Sequence, residues 1–342
     1  MWKAVHITYY DDEYDKLLFD GIKPILRQMQ LDALIDRVYV LRMWDPTPHL
    51  AVHVEVKHEA AFQEVLKLMK DKAGRYLSKF PSRRVLSEQE QQKLTERWVG
   101  FAKDRKLTYR EDNTIEAYKL TLPQGLHKHK AVLELLHSFY AYTYEIVLHE
   151  VERSRENSQT RYCRMLRMMA VNGWYLIQPP LISGYASPRM KVERYLQGLS
   201  EREFVKRQFE DADEQMSSMI DSALSDVFRA VDSAGYYTGS DTMLRLWSSA
   251  RHELWKALYA LAENEIIPLM EHPYGRTSAE YTAYCLLSQS IQAIMPLFQL
   301  DYKQQHLLEY LLMKGYERQV HSSELQLGYF QDLPSYSASA FL

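Results

Sequence analysis

From Lys130 onward, apolar residues recur at three- and four-residue spacing through almost the whole chain, and this is the pattern of amphipathic helices. Only 12 of the 342 residues are glycine, and a low glycine content favours helices over the glycine-rich loops of β and α/β proteins. The pattern therefore predicts a predominantly helical C-terminal part. Its candidate helices are residues 130–153, 160–176, 200–232, 241–270, 278–297 and 301–314.

Local signals refine the limits of these helices. Ser200 and Glu203 have the spacing of a capping box, which predicts a hydrogen-bonded start for the helix 200–232. The segment 178–188 is rich in proline, and proline breaks the helical hydrogen-bond pattern, so an irregular loop is expected there. The sequence after Gln319 is polar and predicts a loose tail.

The N-terminal region begins with a strand followed by a helix. Residues 2–10 alternate between the two faces that a strand would present. Residues 12–29 carry apolar side chains at helical spacing, and Pro24 should kink or interrupt that helix because it lacks a backbone N–H.

Two further β-rich runs, residues 38–43 and 51–56, flank an Asp/Pro turn and predict a hairpin. In the second run valines alternate with small or polar residues, so we expect a sheet with one core face and one polar face. A helical pattern over residues 59–77 completes the β-α-β-β-α order of a ferredoxin-like half. Residues 115–122 alternate again and are a candidate strand returning to this sheet.

The expected fold class is therefore α+β, with an N-terminal ferredoxin-like β-α-β-β-α sheet portion packed on a predominantly helical C-terminal part. The Pro-Gln-Gly sequence at 123–125 marks the boundary between the two. We predict a sheet portion over residues 1–125, a helical portion over 126–318 and a polar tail over 319–342, with the first two forming one compact unit.

Composition narrows the class of protein. The formal net charge of −3 carries no basic excess for nucleic acid, and no apolar run approaches the ~20 residues that cross a bilayer. The two cysteines cannot form a disulfide framework, and no metal-site spacing is present. A cytoplasmic protein without a membrane, nucleic-acid or metal partner is expected. The sequence leaves the oligomeric state open.

The hairpin carries a recognisable signature. An aromatic-rich strand ends in Arg-Met-Trp and continues into Asp-Pro-x-Pro-His-Leu, which resembles the lantibiotic dehydratases and the thiopeptide-type biosynthesis proteins. The matching residues are Arg42, Asp45, Pro46, Pro48, His49 and Leu50. Members of that family act on a ribosomally made precursor peptide that carries a leader, so the resemblance implies such a peptide as the partner.

Departures from the signature select a branch of the family. The glutamate-elimination branch uses arginines in the second hairpin strand, where this chain has Ala51 and His53, and a histidine in a late helix, where it has Gln292. Pro188 replaces another family histidine. Elimination needs a base and cationic groups for the leaving carboxylate, so these losses favour the pyridine synthase branch.

The resemblance to that branch implies an antibiotic-biosynthesis macrocyclase. Such an enzyme joins two dehydroalanines of a thiazole-containing peptide by a formal aza-[4+2] cycloaddition, with loss of water and of the leader peptide. This lyase-like reaction implies no cofactor. Two alternatives remain open: the elimination subunit of a split dehydratase, and a non-catalytic module that delivers the precursor peptide to other enzymes.

The candidate site begins on the late helix, where Tyr281, Tyr284, Ser288 and Gln292 share one face. That face could line a cavity or could simply be buried. The candidate catalytic residues are Tyr284, Ser288, Gln292, His53 and Tyr185, and the candidate substrate-binding residues are Arg42, Tyr281 and Arg164.

Two of these predictions have plain alternatives. Arg164 belongs to a basic stretch that suits an acidic leader or is an ordinary solvated helix face. The 25 tyrosines of the chain form clusters that either pack with their hydroxyls at the surface or line a groove for a heterocyclic peptide.

Overall fold

The computed structural model describes residues 1–11, 14–44, 47–99, 110–120, 129–155, 157–173, 182–232, 235–270 and 278–322. Strands occur near the N-terminus, and the chain from Lys130 onward is helical wherever it is regular. This arrangement confirms the α+β prediction.

Four strands form one antiparallel sheet in the order β2-β3-β1-β4. The strands are β1 Trp2–Thr8, β2 Arg37–Met43, β3 His49–Glu55 and β4 Ile115–Tyr118. Both β1 and β2 are antiparallel to β3, which lies between them, so β1 and β2 run parallel. Since β4 pairs with the other edge of β1, the sheet has the complete strand order of the ferredoxin-like β-α-β-β-α-β motif.

The first helical segment of the sheet portion is interrupted near Pro24, where the sequence predicts a break. The helical segment after β1 consists of α1 (Tyr14–Lys16), a π-helical turn (Leu17–Ile22) and α2 (Lys23–Leu31). Pro24 lies in the first turn of α2, where its missing N–H needs no partner. The break therefore falls at the proline, as predicted. The later helices of this portion are α3 (Glu59–Lys79) and α4 (Glu88–Val99).

Both faces of the central sheet are covered, so the prediction of one polar face is wrong. On one face the Lys3 ammonium lies over the Phe62 ring of α3. On the other face Trp2 stacks on His137, and the Tyr39 hydroxyl lies 2.6 Å from Nδ1 of the same histidine. His53 is fully buried on this second face. The cause is a long helix, α5 (Lys130–Arg153), that crosses the face which the strand pattern alone would leave to solvent.

The helical portion contains α5 and the helices that follow it. They are α5 (Lys130–Arg153), α6 (Ser158–Gly173), α7 (Ile182–Gln197), α8 (Arg202–Ala230), α9 (Thr242–Glu263), α10 (Ala279–Gln292), a 3-10 helix (Met295–Phe298) and α11 (Tyr302–Ser322). None of the helices in the described ranges is long and apolar enough to cross a membrane.

Three local expectations differ from the structure. Residues from Ile182 onward belong to α7, and Pro188 lies inside this helix. A proline inside a helix costs about 3 kcal/mol of helix stability. The packing of α7 on α11 outweighs that cost. Ser200 does not cap α8: the residue before its first turn is Glu201, with no side-chain hydrogen bond. Finally, α11 continues to Ser322, past the predicted start of the tail.

A single cluster of buried apolar side chains contains residues from β1, β2 and β3 and from the helices of the C-terminal part. The predicted boundary at 123–125 lies outside the described residues. In the helical part β2 packs on α5 and on the 3-10 helix Met295–Phe298.

Candidate functional site

The candidate site is a pocket between α6, α7, α10 and α11 that encloses about 430 Å³ of space, part of it open to solvent. The pocket is lined by Met169, Pro188, Lys191, Tyr284, Leu287, Ser288, Ile291, Gln292, Met295, Glu309 and Leu312. Its lining is mostly apolar, with polar groups contributed by α7, α10 and α11.

Lys191 connects the polar groups of the pocket. Its Nζ donates a hydrogen bond to Ser288 Oγ at 2.7 Å and lies 3.2 Å from Glu309 Oε1. The lysine side chain is 26% exposed, whereas that of Glu309 is 2% exposed. The ammonium group therefore reaches from the pocket surface to a carboxylate buried in the core.

Glu309 receives hydrogen bonds on both oxygens. Gln292 Nε2 donates to Oε1 at 2.8 Å, and His306 Nδ1 donates to Oε2 at 2.9 Å. Burial by itself would raise the pKa of Glu309, but the Lys191 charge and the hydrogen bonds from His306 and Lys191 bring it below its ordinary value. Glu309 is thus an ionised acceptor that fixes the side chains around it.

These bonds leave defined hydrogen-bonding groups on the pocket side. Because Ser288 Oγ accepts from Lys191, its own hydrogen remains available to donate. Gln292 uses its amide nitrogen on Glu309 and keeps its carbonyl oxygen as an acceptor. The Tyr284 side chain, 5% exposed, lines the same pocket. The arrangement can hold and polarise an amide with mainly neutral groups.

Three of the predicted catalytic residues come together here. Tyr284, Ser288 and Gln292 were expected to share one helical face, and all three line the pocket. Tyr281, one turn earlier, is not among the lining residues. Burial raises its pKa, and the Cys285 thiol beside it adds to that shift.

Two other candidates, His53 and Arg42, lie in the sheet and do not line the pocket. The His53 ring stacks on Tyr39 at 4.4 Å, and its Nδ1 lies 3.1 Å from the Ala51 carbonyl oxygen. Arg42, 5% exposed, places its guanidinium between the rings of Tyr14 and Trp44. Their site roles stay predictions.

The remaining candidates are Arg164 and Tyr185. Arg164 Nη1 lies 3.1 Å from Glu150 Oε2 and 3.4 Å from Asp241 Oδ2, and it lines a separate pocket of about 230 Å³. Its charge is therefore matched inside the protein. Tyr185 belongs to α7 and not to an irregular loop; its side chain lies outside what the structure describes.

Sequence reasoning missed Lys191 and Glu309. A signal for Glu309 existed, since it interrupts an apolar run of α11 and an isolated acid in such a run is a candidate for a buried functional charge. Lys191 has no comparable signal. Among the residues that the structure describes, no group of three or more His, Cys, Asp or Glu side chains could hold a metal ion.

The structure combines a ferredoxin-like sheet, a helical C-terminal part and an interhelical pocket. Residues 2–316 match the family described as Lantibiotic biosynthesis dehydratase C-term, so this chain belongs to that family and the resemblance of its hairpin is confirmed. No curated protein matches the sequence.

Solved structures with the same fold include two chains of similar length. The pyridine synthase TbtD from thiomuracin biosynthesis superposes with a TM-score of 0.72 at 22% identity, covering 93% of this chain and 98% of TbtD. TsrL gives a TM-score of 0.69 at 14% identity, with coverages of 94% and 95%.

A larger protein also contains the fold. The tRNA-dependent lantibiotic dehydratase MibB from Microbispora sp. 107891 gives a TM-score of 0.55 at 11% identity. The match covers 94% of this chain and 28% of MibB. At these identities the likenesses establish the shared fold.

Proposed function

We propose that this protein is a pyridine synthase of thiopeptide biosynthesis. It joins two dehydroalanines of a leader-bearing, thiazole-containing peptide by a formal aza-[4+2] cycloaddition and releases water and the leader peptide. The observation that carries this proposal is the makeup of the pocket, which combines the Tyr284, Ser288 and Gln292 side chains with the Lys191 ammonium. The fold shared with TbtD, itself a pyridine synthase, supports it.

The pocket also favours this reaction over glutamate elimination. Pro188 and Gln292, which stand where the resemblance would place histidines of the elimination branch, both line it. None of the lining residues that the structure describes is a histidine or an arginine. Elimination requires a base for the α-proton and cationic groups for the departing carboxylate, and Lys191 alone supplies a cation here.

The chemistry needs positioning above all. One dehydroalanine amide must adopt its iminol tautomer and act as the 2-azadiene, while the second dehydroalanine is the dienophile. Holding two such groups in a reactive geometry can lower a barrier by about 7–11 kcal/mol. The Ser288 hydroxyl and the Gln292 amide oxygen supply the donor and acceptor that an amide needs to exchange its proton.

The test is incubation of the protein with a leader-bearing peptide that contains thiazoles and two dehydroalanines, followed by mass spectrometry. Release of the intact leader together with a core lighter by one water supports the proposal. Glutamate release from a glutamylated peptide would assign elimination instead. Binding of the peptide without any change of mass would point to a delivery module.

Matched variants connect the activity to the pocket. We expect Ser288→Ala and Gln292→Ala to lower kcat by about 10- to 100-fold, since each removes one polar contact to the reacting amide. Ser217→Ala and Gln28→Ala are suitable controls, because neither residue lines the pocket and each bonds to a residue three or four positions away in its own helix region. Equal losses in the control variants would contradict a role for the pocket.

A further inference from the structure

We infer that Lys191 supplies the proton for the water-loss step of the macrocyclisation and delivers it through the Ser288 hydroxyl. This inference rests on the proposed function and assigns one step of it to a residue for which neither the sequence pattern nor the comparisons give a role. Lys191 acts through Ser288 in both proton transfers and is thus a positioning and proton-supplying residue.

The direction of the hydrogen bonds carries the inference. Lys191 Nζ is the donor and Ser288 Oγ the acceptor at 2.7 Å, so a proton can pass from nitrogen to oxygen while the serine passes its own proton into the pocket. A second acceptor, Glu309 Oε1 at 3.2 Å, holds the ammonium in place. The relay is therefore assembled before any substrate binds.

The neighbouring titratable groups are poorer sources of this proton. On α11, Glu309 is ionised and accepts from Lys191, Gln292 and His306, and His306 is directed at Glu309. On α10 burial raises the pKa of the Cys285 thiol, which is not among the lining residues. The Tyr284 phenol is the acidic group that α10 contributes to the described lining of the pocket. Tyr284 is therefore the competing donor that a test must separate.

The cycloaddition leaves a hydroxyl on the ring carbon derived from the amide carbonyl. The bond from that carbon to oxygen breaks with its electron pair on oxygen, which takes the Ser288 proton and departs as water. Ser288 takes a proton from Lys191. A ring CH₂ group then loses a proton to the Ser288 oxygen while Ser288 returns its own proton to the Lys191 amine, and conjugated C=N and C=C bonds form.

The decisive variants are Lys191→Gln and Lys191→Arg. Glutamine removes both the charge and the transferable proton. Arginine keeps the positive charge that Glu309 requires but does not release a proton under working conditions. Both are expected to slow water loss by about 100-fold while affinity for the leader-bearing peptide, measured by fluorescence anisotropy, changes less than twofold.

The intermediate provides a readout that a purely structural role would not produce. Cycloaddition conserves atoms, so the adduct has the mass of the linear peptide, but its ring shifts its retention time and resists fragmentation. Accumulation of this adduct in both Lys191 variants supports the inference. Arg189→Gln, which removes an exposed cation from the same helix, should behave like the parent protein.

Several outcomes would overturn the inference. Water loss at the parental rate in either Lys191 variant would show that the proton comes from elsewhere, and accumulation of the same adduct in Tyr284→Phe alone would assign it to the phenol. A parallel loss of peptide binding and turnover would assign Lys191 to binding. If the parent protein converts no peptide, the proposed function itself fails, which is a distinct result.

Discussion

The Lys191 ammonium lies 3.2 Å from Oε1 of Glu309, a carboxylate that is 2% exposed. The two residues belong to α7 and α11, so their contact fixes one helix against the other at the edge of the pocket. Since removal of one partner from a buried ion pair leaves an uncompensated charge, this contact should matter for stability as well as for chemistry.

Glu309→Gln should lower the free energy of unfolding by about 3 kcal/mol. The change leaves Lys191 and His306 without the carboxylate that accepts their hydrogen bonds. Urea denaturation followed by circular dichroism measures the effect. Glu203→Gln, at a side chain that is 75% exposed, is the matched control and should change stability by less than about 0.5 kcal/mol. A similar small change for Glu309→Gln would contradict this account of the pair.

Replacement by alanine should have opposite effects on the stability of the protein at Gly315 and at Gly74. A Cβ at Gly315 would meet Leu224 Cδ1 at 2.2 Å, and Leu224 is fully buried and cannot move aside freely. A Cβ at Gly74, inside α3, meets nothing within 4 Å. We expect Gly315→Ala to destabilise the protein by about 1–3 kcal/mol and Gly74→Ala to stabilise it by about 0.5–1 kcal/mol. Thermal melting of both variants tests the close approach of α11 to α8; two stabilising changes would refute it.

Acid should destabilise the protein through two stacked histidines of the sheet. The rings of His6 and His49 lie 4.2 Å apart. Burial, with the positive charge of Arg110 as a smaller cause, lowers the pKa of His6 to about 2 and that of His49 to about 4. Both therefore stay neutral in the folded protein at pH values where an unfolded chain binds protons.

The sign follows from proton linkage. The free energy of unfolding has its full value, as far as these histidines are concerned, above the ordinary histidine pKa of 6.5. It falls as the pH drops below that value, until the pKa of the folded state is reached. Each buried histidine should remove about 2 kcal/mol of unfolding free energy by pH 5. His49→Asn should make the dependence on pH shallower between pH 6.5 and pH 5. If the free energy of unfolding depends on pH in the same way in the parent protein and in His49→Asn, then His49 binds its proton while the protein stays folded.

Arg164→Met tests whether this arginine binds an acidic leader peptide. Its guanidinium is shared between Glu150 and Asp241, so we expect a loss of about 2 kcal/mol of stability and less than a twofold change in leader affinity. Arg202→Met, at a side chain that is 53% exposed, controls for the loss of a positive charge. A tenfold loss of affinity confined to Arg164→Met would instead support the prediction that Arg164 binds the leader.

The part of the candidate pocket that α10 contributes could be predicted, because its residues lie within one short segment. Tyr284, Ser288 and Gln292 share a face wherever that segment is helical, and no knowledge of other helices is needed. The same holds for the break at Pro24, which depends on a missing N–H.

His53 shows why the rest could not be predicted. The alternation of β3 correctly separates its two faces, but it cannot indicate what covers each of them. Only the position of α5, whose His137 contacts Trp2 and Tyr39, buries the face with His53. Likewise Pro188 reads as a helix breaker in sequence and lies inside α7 once that helix packs on α11.

The sequence by itself therefore determined the class of fold, the order of the strands and of most helices, though not α7, the family signature of the hairpin and the polar face of α10. Each of these depends on spacing within one segment of chain. Only the tertiary structure decided that Lys191 meets Glu309 and Ser288, and that His53 is withdrawn from the pocket. Such contacts join segments that are far apart in sequence. They depend on the free energy of packing whole helices together, and no single segment encodes that free energy.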